Sequence, residues 1–339
     1  SGEMPHVAQL EMGRTKMFAD YGVLQDMTEL AQEAGLDTSM FFEGLMSSCD
    51  WGEGLYALPF NRSTPMFYYN KDMFEEVGLD PEAPPQTWDE LKEYAAKLSI
   101  PDERWGFEMP IDAWFYEAFI MQSDGRILNE DETDIGFNNE TGTEPLAMWK
   151  SMISEGIMKA PPGKEYNSYA ARSDFSAGIT GMIVTSSGDL GTLNSSCDFE
   201  VVTAFLPKNT RFGVPTGGAN VVMMAGLEED SAATMDFLKY LTSPEVAAYW
   251  ATKTGYVPSS QAAADTDVYQ EYISANGNAK TALEQMQYTD IPRPINEDYP
   301  QIHSEIMMTE IQRCIEEPSY TPEQAVTAIS EQTKALLAK

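Results

Sequence analysis

Helix-start signals alternate along this chain with short apolar runs, and that alternation leaves few architectures open. Thr87 and Glu90 form a capping box in TWDE, and Leu91, Tyr94, Ala95 and Leu98 then recur at helical spacing along one face. Ser243 with Pro244, and Thr321 with Pro322, pair an N-cap residue with proline at the first helical position. Gln324 backs the second of these, so a helix is expected from there nearly to the C-terminus. Between such signals lie VAQL (7–10), LYALP (55–59), MFYY (66–69), ITGMIV (179–184), EVVTAF (200–205) and ANVVMM (219–224), each read as a strand. Strands interleaved with helices predict α/β layers.

Proline and glycine punctuation falls at STP (63–65), GVPTGG (213–218) and IPRPINEDYP (291–300), which are candidate crossings between two lobes. A length of 339 residues leaves room for two domains, and 42% hydrophobic residues is the make-up of a packed protein. The formal charge of -33 makes nucleic acid and anionic membrane surfaces poor partners. Cys49, Cys197 and Cys314 are odd in number, far apart and free of CxxC spacing, so neither a metal nor a cofactor is expected. No apolar run approaches the roughly 20 residues that span a bilayer. No basic-then-apolar leader opens the chain, which fits a cytosolic protein or a chain cut downstream of an export signal.

Chemistry has little to work with. His6 and His303 are the two histidines, and no GxSxG, HExxH or P-loop pattern occurs. An enzyme would have to rest on paired carboxylates, as a glycosidase does, with Glu11 as one of the pair.

Three segments, taken together, resemble the extracellular solute-binding proteins of ABC importers, in particular the branch that binds glycerol-3-phosphate and glycerophosphodiesters. They are LPFNRSTPMFYYNKDMFEEVGLDPEAPPQTWDELKEYAAKL (58–98), TSSGDLGTL (from 185) with GVPTGGANVVMMAG (from 213), and FLKYLTSPEVAAYWATKTGYVPSSQAA (from 237). The similarity runs colinearly from about Met4 to the C-terminus. It implies a two-lobed, type II periplasmic-binding-protein-like α/β fold with three hinge crossings. Residues 1–64 and 219–287 would form the N-terminal lobe, and residues 65–218 and 288–339 the C-terminal one. In the family a strand, a helix and a strand precede the segment matching MPHVAQLEMG, so the first lobe is expected to lack its opening βαβ unit and one aromatic ligand contact. Function is then expected to be capture of a sugar, oligosaccharide or glycerol-derived solute between lobes, without catalysis. ABC permease subunits would be the partners of a monomer outside the cytoplasm, periplasmic or lipid-anchored. A receptor specific for glycerol-3-phosphate or a glycerophosphodiester is the alternative, and an adhesin or signalling receptor on the same fold remains open.

Carried over by position, the ligand contacts implied are Glu11, Ser63, Ser186, Gly218, Tyr256 and the place of His303. Glu11 follows a strand run, where a carboxylate can accept paired hydroxyl hydrogen bonds or simply face water. Ser63, beside Pro65, serves a ligand or a plain turn. Ser186 and Ser187 precede Gly188 where a helix N-terminus could hold a phosphate or hydroxyl, and the same residues suit an ordinary N-cap. Gly217 and Gly218 allow either close backbone approach or unusual dihedrals. Tyr256, in KTGYVP, can stack on a sugar ring or edge the core. His303 stands where phosphate-binding members carry arginine, which puts a phosphate monoester in doubt and favours a neutral glycan. Arg62 and Arg293 could replace that charge but read first as surface arginines. Trp114, in DAWFYEAF, is either a sugar platform or core.

Overall fold

Eight strands form where apolar and β-branched runs meet turn residues: β1 (Val7–Glu11), β2 (Leu58–Ser63), β3 (Pro65–Asn70), β4 (Trp105–Glu108), β5 (Met158–Lys159), β6 (Thr180–Ser186), β7 (Val201–Ala204) and β8 (Gly217–Met223). The computed structural model describes residues 4–160, 167–289, 293–294 and 296–338. Every expected run carries a strand, with one displacement. The run read at 55–59 becomes a strand at Leu58–Ser63, which takes in Pro59 and slips its register between Pro59 and Asn61. The short β4 and β5 were not anticipated.

The chain divides into two compact units. The first holds Ser1–Ser63, Thr216–Lys280 and Pro292–Pro300, and the second Thr64–Pro215, Thr281–Ile291 and Gln301–Lys339.

In the first unit β8 lies between β1 and β2 and runs antiparallel to both. Side chains alternate along a strand, so β8 must be covered on two faces. Val221 and Met223 join Leu58, Phe60, Met235 and Leu238 on one face, whereas Val222 joins Leu24, Cys49 and Ala57 on the other. The helix Ser231–Leu241 packs on this sheet, and Pro244–Thr254 follows it, starting with the anticipated proline.

The second unit carries a mixed sheet in the order β5-β4-β6-β3-β7. Parallel β4 pairs with β5 and β6, and antiparallel β3 joins β6 to β7. Interior β3 is buried along its whole length, as a strand covered on both faces must be. Both anticipated capping boxes are present, at the starts of Trp88–Leu98 and Pro322–Leu337. Aromatic packing of Tyr116 and Phe119 against Trp149 fixes the helix Ala113–Gln122 against Glu140–Ser154. None of the described helices is long and apolar enough to cross a membrane.

Candidate functional site

Because β1 and β2 both run antiparallel to β8, their last residues emerge at the same end of the first unit's sheet. Glu11 lies opposite Ala219, Ser63 opposite Gly217 and Arg62 opposite Gly218. Carboxyl ends of strands are where ligands collect in open α/β sheets. Tyr256 reaches the same place from the next helix. Gly255 ends Pro244–Thr254 in the left-handed conformation at φ 87°, and Val257 then exchanges backbone hydrogen bonds of 2.7 and 3.4 Å with Arg62. Five of the eight expected residues are thus gathered at one edge.

Their roles differ. Glu11 is half exposed, and its Oε1 accepts a bond from Arg293 Nη1 at 3.0 Å. Arg293 also donates through Nε to the Tyr299 hydroxyl at 3.1 Å, and its own side chain is almost wholly buried. Gly218 has φ 101°, and a Cβ there would stand 2.2 Å from the Asn61 carbonyl oxygen, so the pairing of β8 with β2 itself demands glycine. Ser63 is buried at the strand end.

Arg62 and Arg293 correct the expectation of surface arginines. The bulge after Pro59 turns Arg62 inward, where its guanidinium has no solvent exposure. It donates to Asn220 Oδ1 at 2.6 Å and to the carbonyls of Ala219 and Asn61 at 3.0 and 3.3 Å. Asn220 is held in turn by Thr15 and Ser48. Burial presses the Arg62 guanidinium below its usual range, and it pushes the adjacent Cys49 thiol up to about 11 against the pull of Arg62.

In the second unit Ser186 closes β6. Its hydroxyl accepts from Gly188 N at 3.1 Å, the geometry of an N-cap, while its carbonyl accepts from the Tyr68 hydroxyl at 2.8 Å. Trp114 lies in the first turn of Ala113–Gln122, behind an Asp112 cap. Its Nε1 is a buried donor with no acceptor among the described residues. His303 stands on a π-helical stretch, Ile302–Met307, which packs against that helix. Its Nε2 lies 3.5 Å from Oε1 of Glu117, a carboxylate with no exposure. Trp114, Glu117 and His303 therefore share one helix contact, and the described hydrogen bonds do not join Ser186 to them.

Glu117 was overlooked, although a lone acid inside the apolar run WFYEAF is a recognisable signal. A second buried acid, Glu108 on β4, lies among Lys159, Asp174 and Thr180. Burial pushes its carboxyl up to about 9, with Asp174 adding to the rise and Lys159 opposing it. Among the described residues no cluster has the make-up of a metal site.

Comparison with known proteins gives the family and the fold. The family model for bacterial extracellular solute-binding proteins matches residues 1–277. The sn-glycerol-3-phosphate-binding periplasmic protein UgpB of Shigella dysenteriae is 31% identical over 370 aligned residues, covering 99% of this chain and 80% of that protein. Its counterpart in Escherichia coli K12 is 30% identical, with the same shares covered. Among solved structures, UgpB from Mycobacterium tuberculosis in complex with glycerophosphocholine superposes with a TM-score of 0.88 at 24% identity, over 100% of this chain and 85% of that one. An ABC substrate-binding protein from Listeria monocytogenes in complex with cycloalternan gives 0.88 at 20% identity, over 99% and 86%. The fold is that of the type II, maltose-binding-like periplasmic receptors.

Proposed function

The chain belongs to the bacterial extracellular solute-binding proteins, and we propose that it captures a polyhydroxylated solute, a sugar or a glycerol derivative, at the sheet end formed by Glu11, Ser63, Gly218 and Tyr256. Members of this family are binding proteins that work outside the cytoplasm as substrate-binding components of ABC importers. The observation that carries the reading is the convergence of two strand ends and one helix end at a single edge.

That edge is built for hydroxyl groups. Glu11 offers acceptors, Ser63 a hydroxyl, and the Tyr256 ring an apolar face with a polar tip. Nothing in it resembles a nucleophile with its base, so the solute is bound and handed on unchanged. In the second unit we propose Trp114, Ser186 and His303 as further contacts. Monomeric action beside the permease subunits completes the reading.

A thermal-shift screen of sugars, polyols and glycerophosphate esters tests it, because a ligand that binds the folded state raises the melting temperature. A hit at about 100 times its Kd contributes about 2.7 kcal/mol, an upward shift of several degrees. Tyr256→Ala abolishes that shift without lowering the melting temperature of the ligand-free chain by more than a few degrees. A full-sized shift in the variant removes Tyr256 from the site, and a flat response to the whole screen ends the reading.

A further inference from the structure

Buried cations are ordinarily paired with a carboxylate, because an isolated charge in the interior costs several kcal/mol. Arg62 is not. Its partners, the Ala219 and Asn61 carbonyls and the Asn220 side-chain amide, are all neutral. The Cys49 thiol beside it stays protonated at neutral pH. The carboxylate that acts on it is Glu11, and that group is already bonded to Arg293 at 3.0 Å. A guanidinium does not shed its proton to escape this cost, so the charge persists.

Its position gives the charge a use. Arg62 precedes Ser63, lies opposite Gly218 and bridges to Val257, next to Tyr256. It therefore stands directly behind three of the residues assigned to the solute. A charge in the interior is screened far less than one in water, so its field reaches that edge.

We propose that Arg62 is a specificity-determining residue that touches no ligand: its fixed positive charge behind the strand ends selects an anionic solute, a phosphate ester of a polyol, over a neutral sugar. This rests on the solute-binding reading above and assigns that site its ligand charge. It also reverses the preference drawn from His303, since the cation is supplied from beneath β2 and β8 rather than from the second unit.

Isothermal titration of the full chain with glycerol 3-phosphate, glycerophosphocholine and maltose decides it. The wild type binds at least one phosphate ester about tenfold or more tightly than maltose, a difference of about 1.4 kcal/mol. Arg62→Met weakens the ester by about tenfold or more and leaves maltose within about threefold, and Arg62→Lys, which keeps the charge, recovers most of the loss. Equal loss of both ligands in the Met variant marks a merely structural residue and overturns the proposal, as does a wild type that prefers maltose. The wild-type preference and the Lys variant decide the matter even where Arg62→Met does not fold. A chain that answers to neutral sugars alone fails here only. One that answers to no solute in the wider thermal screen fails at the solute-binding reading itself.

Discussion

Arg62 in the first unit and Glu108 in the second are both wholly buried against a sheet, yet the two units tolerate the burden in opposite ways. Glu108 gives up its charge: with a folded pKa of about 9 it holds a proton at neutral pH. Arg62 has no such exit and is instead wrapped in neutral acceptors. The lesson is that an interior carboxyl reports on pH whereas an interior guanidinium does not, so Glu108 gives the second unit a proton-linked weakness that Arg62 does not give the first.

The largest effect belongs to the first unit's strand pairing. Gly218→Ala places a Cβ against the Asn61 carbonyl at a φ that alanine resists. A loss of roughly 3 kcal/mol or more is expected by urea denaturation. A loss below about 1 kcal/mol shows that β2 and β8 can part locally, and that Gly218 is there for a ligand rather than for the sheet.

Glu108→Gln sharpens the contrast most directly. The folded pKa lies above the ordinary 4.5, so between pH 4.5 and about 9 the folded state binds a proton that the unfolded chain lacks. Stability of the wild type therefore falls as pH rises through that window. The variant escapes the loss, by on the order of 3 kcal/mol at pH 7, and its advantage vanishes near pH 4. Melting temperatures of wild type, Glu108→Gln and Arg62→Met across that range check it. The Arg62→Met difference stays flat with pH, and parallel curves for all three erase the distinction between the units.

The smallest effect is at a helix start. Thr87→Ala removes a bond to Glu90 N and costs about 1 kcal/mol, read by the same denaturation. No change would mean that the aromatic packing around Trp88 holds this helix without its cap.

What could be read from the chain was whatever local chemistry decides. The capping boxes at Thr87 and Thr321 and the run from Met66 to Tyr69 carry their own instructions, and each lies where it was expected. β4 and β5 escaped notice because two to four residues hold too little pattern, and only their neighbours make them strands. At the candidate site, Glu11 was legible as a strand end, whereas Ser63 read as a ligand contact or a plain turn beside Pro65 and in fact closes β2. The inward turn of Arg62 was not legible, since it depends on a bulge two residues earlier and on Asn220, 158 positions away. Glu117 was visible as a lone acid in an apolar run, but its pairing with a histidine on another helix was not.

The π-helical stretch at Ile302–Met307 interrupts an otherwise α-helical run from Tyr299 to Glu316. Such a stretch carries one more residue per turn than the α-helix on either side, and stretches of this kind recur at functional sites. One residue is worth about 100° of rotation in an α-helix, so the wider turn re-aims the side chains within it relative to the α-helical residues that follow. His303 lies inside that stretch, so its pairing with Glu117 depends on the local helix geometry as well as on the residue itself. A return to regular α-helix there would re-aim the second unit's polar corner while leaving the flanking α-helical turns in place.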